Sequence, residues 1–162
     1  MPLITVDGFR ADAFVSLADD APLPDGAVLI SLHRFQAERD ALIARNAPLG
    51  VRLRSDQSPE GLGEDLHLLS LVALEFPKFR DGRAFSWARQ LRTRWRFTGD
   101  IRAVGDFLTD QIAYQQRVGF NEWDVAEGFT PDDLRRALSE IDNVYQPSAD
   151  GRKTIRELRA TA

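Results

Sequence analysis

The stretch FPKFRDGRAFSWARQLR, residues 76–92, gathers the residue types that hold a small anion. Pro77 and Gly82 interrupt the chain, and the apolar spacing Ala84, Ala88, Leu91, Trp95 predicts a helix starting near Arg83. A helix start leaves backbone N–H groups unpaired at the positive end of the peptide dipole. Lys78, Arg83 and Ser86 beside it would complete a cradle for an oxyanion. Arg102 is a fourth candidate, because residues 75–102 hold eight cations against three acids. The plainer alternative is that Arg83 pairs with Asp81 or Asp106. Arg89, Arg92, Arg94 and Arg96 are then the solvated face of the helix.

Carboxylates and amides recur near the ends of apolar runs, at Glu75, Asp106, Asp110, Gln111 and Asp124, where an α/β protein places its ligands. Glu75 and Arg102 fall on consecutive strands and are expected to form an ion pair, with Asp124 as third member. Asp106 caps a helix or faces the cleft. No spacing resembles a nucleophile–base pair, so no residue is assigned as catalytic and enzymatic activity stays open. His33 has no second histidine nearby and is expected to be structural or on the surface. With no cysteine and two histidines, thiolate chemistry is excluded and no metal site is expected. Neither GxGxxG nor GxxxxGK[ST] occurs, and no cofactor is expected.

These residues need a frame of strands and helices. AVLISL (27–32), LGVRL (49–53), LLSLVALEF (68–76), DIRAV (100–104) and NEWDV (121–125) read as strands, separated by stretches long enough for crossover helices. Helical spacing appears at 35–46, 84–95, 107–118 and 130–141, with a short helix at 58–67 weakened by two glycines. The expectation is an α/β fold of about five mostly parallel strands in βα repeats. An open doubly wound sheet is the preferred form and a partial barrel the alternative, since a full barrel needs about 250 residues. A short N-terminal β-hairpin comes first: LITV and AFVSL flank VDGFRAD, and Asp7-Gly8 is a turn signal. The 162 residues make one domain, with hairpin and linker at 1–26, the repeat core at 27–145 and a C-terminal tail at 146–162.

The net charge of −4 argues against nucleic-acid binding, and no apolar run reaches the roughly 20 residues that span a bilayer. Without a secretory signal, a cytoplasmic protein is expected. Residues 76–92 followed by GDIRAVGDFLTDQIAYQQRVGF resemble a bacterial family of unknown function, labelled as oxidoreductases of sulfite reduction and encoded beside assimilatory sulfite or nitrite reductase. The resemblance implies a role in inorganic sulfur assimilation, with sulfite reductase or another protein of that process as partner. Many relatives have a cysteine where this chain has Val118, and glycine and tyrosine at the positions of Ala84 and Phe85. Neither a thiol nor a phenol is therefore needed at those places. Two functions stand side by side: an accessory protein of sulfite reduction without its own redox centre, and an α/β enzyme or small-anion binder with its ligand at the strand ends.

Overall fold

The computed structural model describes residues 1–139 and 143–160. Its eight strands are β1 (Leu3–Thr5), β2 (Gly8–Arg10), β3 (Val15–Ser16), β4 (Val28–Ser31), β5 (Leu49–Leu53), β6 (Leu71–Phe76), β7 (Asp100–Gly105) and β8 (Glu122–Asp124). The helices are α1 (Leu32–Ala44), α2 (Arg83–Thr93), α3 (Ile112–Val118), α4 (Pro131–Ser139) and α5 (Ile155–Ala160). All strands join one sheet in the order β2-β1-β8-β7-β6-β5-β4-β3, which curls into an open half-barrel. Strands β3 to β8 run parallel, and β1 is antiparallel to both β8 and β2.

The repeat β4–β8 follows the chain without a reversal of strand order, and this corrects the preference for a doubly wound sheet. Successive right-handed crossovers that never reverse place the crossover helices on one side of the sheet. Val28, Ile30, Val51, Leu53, Val72, Leu74, Phe76, Ile101, Ala103 and Trp123 point to that convex side and form one core with α1 to α4. Alternation sends the residues between them to the concave side. Phe76 closes the core at the strand ends, its ring 5.2 to 5.9 Å from Phe85, Phe107 and Phe120. Such pairs contribute about 0.5–1.5 kcal/mol each beyond burial.

The hairpin differs from expectation in its second strand. Gly8, at φ +114°, turns the chain within two residues, so the partner of β1 is Gly8–Arg10 and not AFVSL. Val15–Ser16 instead pairs parallel with β4 at the opposite edge. Residues 11–14 therefore strap across the concave face, where Phe14 packs against Leu29, Leu71, Ala73 and Val104. The two edges bring the strand count to eight. The weak helix at 58–67 is a 3-10 segment, Pro59–Leu68, kinked at Gly63. Of the helix expected at 130–141, residues 140 and 141 lie outside the described residues.

Candidate functional site

Two polar groups occupy the concave face. The first is buried around Arg102, which is 1% exposed. The register sets Arg102 opposite Ala73 on one side and Glu122 on the other. Its Nε donates to Glu122 at 2.9 Å, and its two terminal nitrogens donate to both oxygens of Asp12 at 2.7 and 2.9 Å. Asp124 lies 4.0 Å away, and Arg10 also reaches Glu122. Burial pushes the carboxyl groups of Glu122 and Asp124 up, against the pull of Arg102. Burial also opposes ionisation of Asp12, but its hydrogen bonds from Arg102 and the Phe14 N–H outweigh that and hold it low. This group satisfies itself and orders the sheet.

The expected Glu75–Arg102 pair is replaced. Glu75 stands opposite Val104, one pleat beyond Arg102, and accepts from Arg52 on β5 at 3.2 Å. Register decides this: Arg52 is opposite Ala73, so its long side chain reaches diagonally to Glu75. Asp124 does join Arg102.

The second group lines an open cleft of about 610 Å³ at the C-terminal ends of β4, β5 and β6. Its walls are Asp19, Ser31, His33, Gln36, Arg52, Arg54, Gln57 and Glu75. Strand alternation directs Arg52 inward, and Arg54 follows just past the strand end. Ser31 caps α1 by accepting the Arg34 N–H and donates its hydroxyl to Asp19 at 2.6 Å. The basic side chains here are loosely engaged. Arg54 lies 3.3 Å from Asp56 and is 67% exposed, and His33 is 81% exposed. Guanidinium and carboxylate groups facing one open cleft suit a small polar ligand with acceptor oxygens.

The basic turn is arranged otherwise. Arg83 forks onto Asp81 at 3.0 and 2.6 Å, donates to Ser55 at 2.8 Å, and its backbone N–H also bonds to Asp81. An internal carboxylate thus occupies the start of α2, and Arg83 holds it well below the usual range. Lys78 and Ser86 are exposed and line none of these cavities. Arg92 departs from the solvated face: it donates to the carbonyls of Gly119, Phe97 and Gly99. Gln111 ties loops together, accepting the Leu108 N–H and donating to the Phe79 carbonyl. Asp110 is exposed beside it, while Asp106 and Asp124 share a smaller cavity of about 170 Å³.

The structure therefore brings Glu75 to the larger cleft, Asp124 to Arg102 and to Asp106, and leaves Lys78, Arg83 and Ser86 outside. Asp12, Asp19, Ser31 and Gln57 were not singled out from sequence. Arg52 carried a signal, since a charge within a buried parallel strand demands a reason, and Arg54 follows it just past the strand end. Among the described residues no group of three or more His, Asp or Glu is placed to hold a metal ion, and no helix is long and apolar enough to cross a membrane.

No curated protein matches the chain. A family model matches from Gly50 in β5 to Arg156 in α5, and so includes Arg52, Arg54, Glu75 and Arg102 but not Asp19, Ser31 or His33. By that match over residues 50–156, the chain belongs to DUF934, a family of bacterial proteins of unknown function.

Proposed function

We propose that this protein is an accessory of assimilatory sulfite reduction, without a redox centre of its own, that holds a small oxyanion in the cleft at the ends of β4–β6. One observation carries the binding half of this reading. Arg52 and Arg54 face the cleft with contacts of 3.2 to 3.4 Å to their acids, whereas Arg102 and Arg83 are held at 2.6 to 3.0 Å. A ligand displaces the looser partners at lower cost. The tight Arg83–Asp81 fork moves the anion reading from the turn at 78–86 to this cleft. The cellular half rests on the sulfite-reduction resemblance of residues 76–92 and 99–120, and the partner it implies is sulfite reductase or a neighbouring sulfur-assimilation protein.

Titration calorimetry at low salt with sulfite, sulfate and phosphate tests the binding. Arg52→Ala should weaken it about tenfold or more, the effect of one charge-assisted contact, and Arg83→Ala should leave it nearly unchanged. Deleting the gene should slow growth on sulfate as sole sulfur source and spare growth on cysteine. No binding heat, or equal growth on both sources, contradicts the corresponding half.

A further inference from the structure

The same cleft contains an aspartate–histidine pair that anion binding by arginine does not require. His33 occupies the second position of α1, with Nδ1 3.5 Å from Asp19 Oδ2. The other oxygen of Asp19 is fixed by the Ser31 hydroxyl, so the carboxylate is anchored behind the ring. The charged groups around His33 come from each neighbouring element. Asp19 precedes β4, Arg52 and Arg54 belong to β5 and its exit, and Glu75 lies on β6. Asp56 reaches in through Arg54, and Arg34 with Glu38 lies on the helix itself.

We infer that His33 makes this site select oxyanions carrying an O–H near neutral pH, such as hydrogen phosphate or hydrogen sulfite, over sulfate. The inference rests on the cleft reading and specifies its ligand class. A carboxylate 3.5 Å from Nδ1 favours the neutral tautomer with its proton on that nitrogen. Nε2 then carries the lone pair, on a ring that lines the cleft. An oxyanion with an O–H donates to that lone pair while its other oxygens accept from Arg52 and Arg54. Sulfate has no proton to give near neutrality. It leaves Nε2 to solvent and gains nothing from the ring.

Calorimetry on the full chain with inorganic phosphate and sulfate at pH 8 reads this directly. At pH 8 phosphate should bind about tenfold tighter than sulfate, the worth of one hydrogen bond. His33→Ala should abolish the preference at pH 8 while binding remains sensitive to Arg52→Ala. The chain has two histidines, and phosphate should move the ring resonances of His33 and not those of His67. Equal affinities at pH 8, or a preference that survives His33→Ala, overturns the inference and leaves the cleft reading standing. No heat with either ion overturns both.

Discussion

Replacing Arg102 by methionine keeps the apolar stem and removes the charge that three carboxylates face. Glu122, 1% exposed, loses its 2.9 Å donor, Asp12 loses two donors, and Asp124 loses the nearest cation. Breaking one side of a buried ion pair costs about 3–5 kcal/mol. Arg10 still reaches Glu122 from the rim, which places the expected loss near the lower end, about 3 kcal/mol. For a chain of this length that is a fall of roughly 6–12 °C in Tm. Adding Glu122→Gln should recover part of the loss, because the two residues act as one unit. The sign of the pH effect follows from burial. Glu122 and Asp124 already have raised carboxyl pKa values, and removing Arg102 raises them further. Their charged forms then oppose folding most at pH 7, and the penalty should shrink as they take up protons toward pH 5. Urea titrations of the parent, both single variants and the double variant at pH 7 and pH 5 measure this. A loss below about 1 kcal/mol at pH 7, or one indifferent to pH and to Glu122, refutes the assignment of Arg102 as a buried ionic centre.

Asp12→Asn should loosen the strap at residues 11–14 and cost about 1–2 kcal/mol, less than a fully buried charged pair because Asp12 is 38% exposed. Urea melts read the loss, and hydrogen exchange at Phe14 and Val15 should rise before that of the central strands. Gly105→Ala meets two obstacles: φ is +100°, and the new Cβ would stand 2.4 Å from the Phe76 carbonyl oxygen. The backbone alone should cost about 1–3 kcal/mol, and a stability within 0.5 kcal/mol of the parent would contradict the close approach. Asp81 is held low by the side chain of Arg83 and then by the Arg83 N–H, so its contribution is fully present above the unfolded value near pH ~3.9 and is lost as pH falls below that. Acid titration of Asp81→Asn should show a shallower loss of stability below pH ~4 than the parent.

Much of the repeat core was legible because each strand is a short apolar run and each crossover has helical spacing. LGVRL, for instance, forms β5 over its full length. The strand order was not, since the same runs serve a doubly wound sheet and a half-barrel equally well. AFVSL carried a strand pattern that no local signal could assign to an edge. Its place follows from long-range partners, Phe14 on the concave face and Asp12 on Arg102, which is 90 residues away. Charge on strands announced that β5, β6, β7 and β8 surround something polar, but pairing depends on register. A shift of one pleat gave Glu75 to Arg52 and Arg102 to Glu122. The turn at 78–86 drew attention through composition, and composition does not reveal that Asp81 already holds Arg83. Asp19 and Ser31 could not be joined to His33 from sequence, because the segment before β4 read as a linker.

Backbone amide shifts during a sulfite titration locate residue by residue whether a small oxyanion binds at the ends of β4–β6. Progressive, saturable shifts should centre on Ser31, His33, Arg52, Arg54 and Gln57, and Arg52→Ala should suppress them. Shifts confined to Lys78, Arg83 and Ser86, or none at millimolar sulfite, would contradict it.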